Sequence, residues 1–315
     1  MIEVSQLTKR YGENLALNNV SFKVNKGEIL GFLGPNGAGK TTTMKILTCF
    51  MAPTSGGARV AGHDIFEESL DVRRNIGYLP ENVPLYQDLG VRDYLDYCAR
   101  LRGVPKDQRE ERIDDVIKKA RIEEVENTII RKCSKGYRQR VGIAQALVHN
   151  PPVVILDEPT IGLDPHQIIE TRKLIKSLAK DHTVVLSSHI LPEVSMTCER
   201  VIILNKGEIV AVDTPDNLTQ KLQQSQKVQI QVRRAGEDAT TKIQDIEGVT
   251  NVGTARTDRG AVTFTVESAM DKDVREDLAS LAVGSGWGLL EMKQIELSLE
   301  QIFLQLTTTE EGVNN

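Results

Sequence analysis

Residues 34–41 run Gly34-Pro35-Asn36-Gly37-Ala38-Gly39-Lys40-Thr41, a full match to G-x-x-x-x-G-K-[ST]. Glycines let such a loop curl so that its backbone N–H groups point inward at phosphate oxygens. A helix that follows the loop aims its positive end at the same anion. Lys40 would then reach the β- and γ-phosphates of a nucleotide, and the Thr41 hydroxyl would hold Mg²⁺. Upstream, the turn Asn25-Lys26-Gly27 precedes the apolar run Ile29 to Leu33, which suits a strand. Downstream, Thr41 to Leu47 suits a helix. Strand, glycine loop and helix in that order are the context the motif requires.

Further out, Ile2, Val4 and Leu7 mark a short strand, and Val20, Phe22 and Val24 alternate with polar residues. From about residue 90 to 148 the pattern is mainly helical. Tyr94, Leu95, Cys98 and Leu101 fall on one face, as do Ile113, Val116, Ile117 and Ala120. Two buried strands follow, Val153–Leu156 and Thr183–Leu186, separated by a helix carrying Ile168, Ile169, Leu174 and Ile175. This alternation predicts an α/β fold with a parallel, doubly wound sheet.

After Val212 the composition shifts. Thr214-Pro215 starts a short helix through Leu218 and Leu222, and Gln223 to Lys227 suits a linker. Val228, Ile230 and Val232 alternate, as do Val262, Phe264 and Val266, with helix-like segments near 238–246 and 271–283 and a strand near 288–295. The order β-α-β-β-α-β predicts a small ferredoxin-like α+β domain. Ser298-Leu299-Glu300-Gln301 suits the cap of a last helix bearing Ile302, Phe303 and Leu306, and Thr307 to Asn315 is a polar tail. The expected organisation is therefore a domain over 1–222 (helical part about 82–148), a linker at 223–227 and an accessory domain over 228–315.

The run Val153-Val154-Ile155-Leu156-Asp157-Glu158 ends an apolar strand in two carboxylates. Such a pair is on its own as often a solvated turn. Beside a phosphate loop, Asp157 would orient Mg²⁺ through water. Glu158, on the other side of the pleat, would accept a proton from an attacking water. His189 follows its strand through Ser187-Ser188. A lone histidine there is more often structural, but a γ-phosphate would offer it a hydrogen-bond partner.

These motifs, in this order over residues 1 to 220, resemble the nucleotide-binding subunit of ATP-binding-cassette transporters. The resemblance implies a P-loop NTPase cassette: a mostly parallel sheet with an antiparallel β subdomain and a helical subdomain. Tyr11 matches the aromatic residue that stacks on adenine, and Gly34 to Thr42 match the phosphate loop. Cys133-Ser134-Lys135-Gly136-Tyr137-Arg138-Gln139-Arg140 matches the signature LSGGQ-x-QR. Asp157 and Glu158 match the metal-orienting aspartate and the catalytic base. Asp164, in Ile161-Gly162-Leu163-Asp164, matches the loop that couples two sites, and His189 matches the switch histidine. Glu81, in Gly77-Tyr78-Leu79-Pro80-Glu81, stands where the family usually has a glutamine that senses Mg²⁺ or the attacking water. A carboxylate can do the metal's part but cannot donate a hydrogen bond when ionised. Lys135 and Tyr137 replace a glycine and a glutamine. Either the lysine adds a charge contact to a γ-phosphate, or both side chains face solvent and pack locally.

The resemblance implies ATP and Mg²⁺ as ligands and a head-to-tail dimer with a second copy or a related subunit. In it, Ser134 to Tyr137 of one chain would face the ATP held by the other. It also implies an integral-membrane permease as partner, with the region near 82–132 in contact with it. GYLPE and SKGYRQR resemble an exporter-type branch whose permease is a separate chain and which often carries a small C-terminal domain.

The net charge of −5 argues against a general field for nucleic acid, and no nucleic-acid partner is expected. Hydrophobic residues at 40% and charged ones at 26% suit a globular chain with a sizeable core. No run approaches the roughly 18 apolar residues of a spanning helix, and Met1 to Gly12 lacks a secretory pattern. The four cysteines lack metal spacing and suit reduced thiols, and five scattered histidines do not suggest a metal site. A cytoplasmic chain, peripheral on the cytoplasmic face of the membrane, is expected. Two other classes compete: a non-transport cassette ATPase acting on ribosomes or nucleic acid, and a regulatory ATP-dependent dimerisation module. A single cassette without a long heptad run argues against the first. An intact set of Lys40, Asp157, Glu158 and His189 argues against a passive module.

Overall fold

The computed structural model describes residues 1–222, 226–256, 260–270 and 272–295. The chain divides into two compact units, Met1–Pro215 and Asp216–Asn315, rather than at 222. In chain order the elements are β1 (Ile2–Tyr11), β2 (Asn14–Val24), β3 (Ile29–Leu33), α1 (Lys40–Leu47), β4 (Ser55–Val60), β5 (His63–Asp64), α2 (Ser69–Arg74) and β6 (Ile76–Leu79). Then come α3 (Val91–Leu101), α4 (Arg109–Ala120), α5 (Lys135–Leu147), β7 (Val153–Asp157), α6 (Pro165–Leu178), β8 (Thr183–Ser188), α7 (Leu191–Ser195), β9 (Arg200–Asn205) and β10 (Glu208–Asp213). The last are α8 (Pro215–Leu222), β11 (Gln226–Val232), α9 (Ala239–Gln244), β12 (Val249–Arg256), β13 (Val262–Ser268), α10 (Arg275–Gly284) and β14 (Leu289–Ile295).

The first unit is built on a sheet ordered β10-β9-β3-β8-β7-β6, parallel except where β10 pairs with β9. Strands β3, β7 and β8 are buried throughout or nearly so, which is why they read as continuous apolar runs. A second sheet, β2-β1-β4-β5, is antiparallel. The short strand expected at the N-terminus is in fact half of a long ribbon of β1 and β2. Irregular register in β1 breaks the two-residue alternation that would have shown its length. Ile2, Leu7, Leu17 and Val24 of the ribbon pack with Leu30 and Phe32 of the central sheet and with Met44, Ile46 and Leu47 of α1. Phe22 meets Phe32 edge to face at 5.0 Å between ring centroids. Each such fully buried side chain contributes about 1.5–3 kcal/mol of transfer free energy.

The helical part comprises α3, α4 and α5, with single 3-10 turns at Glu123–Val125 and Ile130–Lys132. Tyr94, Leu95 and Cys98 are buried as expected, but Leu101 is 68% exposed. It is the last residue of α3, where the chain turns away at Arg102, and Ala99 takes the interior position. In α6 the buried face is Thr171, Leu174, Ile175 and Leu178. Ile169 is exposed because it lies about 200° round the helix from Thr171.

The second unit has the strand order β12-β13-β11-β14, all antiparallel, in the ferredoxin-like β-α-β-β-α-β arrangement. Its own core gathers Val228, Ile230, Phe264, Val266, Leu278 and Trp287. Of the stretch expected to be a linker, Gln226 and Lys227 belong to β11, because they pair with Ser268 and Glu267. Gln223, Gln224 and Ser225 lie outside the described residues, as do the helix expected after Ser298 and the polar tail.

Candidate functional site

The carboxyl ends of β3, β6, β7 and β8 deliver Gly34, Glu81, Asp157 and His189 to one edge of the central sheet. Open parallel sheets bind ligands at that edge. After Leu33 the backbone passes so close to β9 that a Cβ on Gly34 would stand 2.5 Å from the Leu204 carbonyl oxygen. Gly39 has φ 105, which a side chain rarely adopts, and leads directly into α1. The Lys40 ammonium donates back to the carbonyl oxygens of Gly34 at 2.7 Å and Pro35 at 3.2 Å. It also lies 3.8 Å from Glu158 Oε1. Burial pulls the Lys40 pKa below the ordinary lysine value, against the opposing pull of the Glu158 and Asp157 carboxylates.

Asp157 is fully buried. Its Oδ1 accepts from Ser187 Oγ at 2.5 Å and from Thr41 Oγ1 at 3.3 Å, while Oδ2 has no partner among the described residues. Parallel pairing of β7 with β8 sets Ser187 opposite Asp157. Glu158 is not the next residue of the pleat. The strand stops at Asp157, and Glu158 takes a left-handed backbone with φ 51. Its N–H donates to Ser187 Oγ at 3.0 Å. Its Oε2 lies 2.9 Å from His189 Nδ1.

These groups enclose a cavity of about 410 Å³ lined by Asn36 to Thr42, Glu81, Glu158, Ile161 and His189. Backbone amides, an ammonium, a hydroxyl and carboxylates converge there, a donor set for a polyphosphate and a hard cation. The remaining residues singled out in the sequence do not line it. Tyr11 is 46% exposed and donates to Met51 Sδ at 3.0 Å. Ser134 caps α5 by accepting from the Tyr137 N–H at 3.3 Å, and Asp164 caps α6 by accepting from Gln167 at 2.9 Å. Gly136 lies against Gln167, and Lys135 reaches Gly162, where a Cβ would stand 2.0 Å from its Nζ. Tyr137 donates to Glu124 Oε2 at 2.6 Å, and the Arg140 guanidinium lies 4.5 Å from its ring centroid. Ser187 was not anticipated as a site residue, and Ile161, which the sequence places in the loop match Ile161 to Asp164, lines the cavity itself. Ser187 gains its place through sheet register, which leaves no local signal.

A family model described as ABC transporter matches residues 17–161. An uncharacterised ABC transporter ATP-binding protein of Bacillus subtilis, YhcH, is 32% identical over 98% of this chain and 96% of its own length. The chain belongs to the ABC transporter ATP-binding proteins. The linearmycin resistance ATP-binding protein LnrL of the same organism is 30% identical over 98% of each chain. A dimeric post-hydrolysis structure of the ATP-binding cassette MJ0796 with ADP and Pi is 28% identical, with a TM-score of 0.62. It covers 68% of this chain and 98% of its own. This ABC protein is accordingly an ATP-binding and ATP-hydrolysing transporter subunit. Among its described residues no helix is long and apolar enough to cross a membrane.

Proposed function

We propose that this subunit works on the cytoplasmic face of the membrane, powering export through a separate integral-membrane permease, as a head-to-tail dimer with a second cassette. The observation that carries the reading is the convergence of Lys40, Thr41, Glu158 and His189 on one cavity at the sheet edge, with Asp157 buried behind Thr41. The backbone of Gly34 to Gly39 and the start of α1 cradle the phosphates of ATP, and Tyr11 stacks on its adenine. Lys40, already held by its own loop, lies against the β- and γ-phosphates. Glu158 takes the proton of a water whose oxygen attacks the γ-phosphorus. The bond to the β–γ bridging oxygen breaks, giving ADP and phosphate. His189, its ring oriented by the 2.9 Å contact of Nδ1 with Glu158, faces the γ-phosphate. Ser134, Lys135, Gly136 and Tyr137 face the partner's nucleotide, and Asp164 couples the two sites.

The Asp157 carboxylate, with Oδ1 taking the Thr41 hydroxyl and a buried Oδ2 that has no partner among the described residues, suits a hard cation with oxygen ligands. Asp157, Thr41 and Glu81 would hold Mg²⁺, which would neutralise charge building on the phosphoryl oxygens. A relative named for linearmycin resistance supports export as the direction.

Glu158→Gln removes the proton acceptor while keeping size and packing. Turnover in the purified chain is expected to fall on the order of 10²–10⁴-fold with ATP affinity kept. A stable dimer should form with Mg-ATP, read by light scattering. Near-normal turnover would sink the assignment of Glu158. Co-purification of a multi-spanning protein from detergent tests the permease.

A further inference from the structure

Glu193 is a buried carboxylate that this scheme leaves without a task. It lies on α7, just past His189, and is 6% exposed. Its Oε2 accepts a short hydrogen bond from Thr160 Oγ1 and a longer one, 3.4 Å, from Ser188 Oγ. Its Oε1 is buried and has no partner among the described residues. As a source of stability this is a poor arrangement. An apolar side chain would fill the space without stranding an acceptor that costs roughly 1–3 kcal/mol.

The two hydroxyls identify what the carboxylate joins. Ser188 is the last residue of β8 and immediately precedes His189. Thr160 belongs to the tight turn that follows Glu158. In that turn Ile161 N donates to Glu158 O at 3.2 Å and Leu163 N to Thr160 O at 3.1 Å, so Thr160 and Glu158 move as one piece. Helix α7 itself is seated on β3. A Cβ on Gly31 would stand 2.4 Å from Val194 Cγ1 and 2.9 Å from Cys198 Sγ.

We propose that Glu193 is a positioning residue for ATP hydrolysis: it ties the Glu158 turn and the His189 segment to α7 and thereby fixes the 2.9 Å contact between Glu158 and His189. It touches no nucleotide. The inference rests on the roles given above to Glu158 and His189, which the Glu158→Gln variant tests separately.

The experiment compares the full chain with Glu193→Ala, Glu193→Gln, Thr160→Val and the Thr160→Val/Glu193→Ala double variant. It measures kcat and KM for Mg-ATP, ATP affinity by equilibrium binding, and melting temperature. Misplacement of a catalytic group by about 1 Å can cost on the order of 10²-fold. Glu193→Ala is therefore expected to lower kcat roughly ten- to a hundredfold while KM and ATP affinity stay within about twofold. Glu193→Gln, which keeps an acceptor, should retain more activity than Glu193→Ala. The double variant should be no slower than Glu193→Ala, since both changes cut one link. Thr160→Val preserves shape and carries the test if Glu193→Ala does not fold. Unchanged kcat in Thr160→Val and Glu193→Ala would overturn the proposal. So would additive losses in the double variant, or loss of ATP affinity in step with melting temperature.

Discussion

His149 shows how a single side chain far from the nucleotide sets a pH limit on the molecule. Its Nε2 lies 3.1 Å from the Ile76 carbonyl oxygen, and its buried Nδ1 has no partner among the described residues. Burial, reinforced by the Arg102 and Arg112 charges, pulls its pKa from 6.5 down to about 4. Above pH 6.5 the imidazole is neutral in both folded and unfolded chains, so it adds no pH dependence. Below 6.5 the unfolded chain gains a proton that the folded chain refuses until about pH 4. Stability therefore falls as pH drops through this window, by about 2 kcal/mol between pH 7 and pH 5. Urea denaturation at the two pH values should show that drop. His149→Gln, which keeps a donor for Ile76, should remove most of it. The buried His182, also pulled down, contributes a drop that survives in the variant. At this scale the site was legible where chemistry demands a residue type at a fixed spacing: Gly34 to Thr41, Asp157 with Glu158, and His189. It was not legible for Ser187 and Glu193. Their partners Asp157 and Thr160 are remote in sequence and meet them only after the strands have paired.

Elements carry the next level of constraint, because the strands that deliver these residues are themselves held by close packing. Strand β6, which leads to Glu81, lies directly against the end of α5. A Cβ on Gly77 would stand 2.0 Å from the Ala146 carbonyl oxygen and 2.9 Å from its carbonyl carbon. Backbone cannot yield there as a flexible side chain would. Gly77→Ala is thus expected to destabilise the chain by about 1–3 kcal/mol and to disturb Glu81 and α5 together. The variant should show a lower urea midpoint with an unchanged m-value. A midpoint matching the parent would mean that β6 and α5 separate freely. The same helix explains why the departures at Lys135 and Tyr137 were hard to read from the sequence. Tyr137 spends its hydroxyl on Glu124, and Lys135 lies along Gly162, whose φ of 66 itself favours glycine. Both are contacts within the chain, across segments with no shared pattern. The parallel strands were legible because burial on both faces makes them continuously apolar. The length of β1 and β2 was not, because irregular register scrambles their alternation. Leu101 and Ile169 escaped for a related reason: apolar character alone does not say which positions meet a partner.

At the scale of the whole molecule, each unit has a hydrophobic core of its own. The interior of the first runs from Ile2 to Leu204, with Ile209 packed against it, and that of the second from Val228 to Trp287, with Met292 beside it. Every strand of the central sheet, every residue lining the cavity and every hydrogen bond described around Glu158 falls within Met1–Pro215. A unit of that size buries enough apolar surface to fold alone, since domains commonly span 50–250 residues. A chain ending at Leu222, which retains the whole of α8, is therefore expected to unfold cooperatively and to bind ATP as the full chain does. Its urea m-value should be smaller by roughly a third, in proportion to the surface no longer exposed on unfolding. If the shortened chain folds but loses ATP affinity, the second unit contributes to the nucleotide site in a way its separate core does not suggest. If it binds and hydrolyses ATP normally but no longer associates with a membrane protein or a second cassette, the ferredoxin-like unit serves assembly. That division follows from where the lining residues lie: every described residue that faces the cavity sits at the first unit's sheet edge.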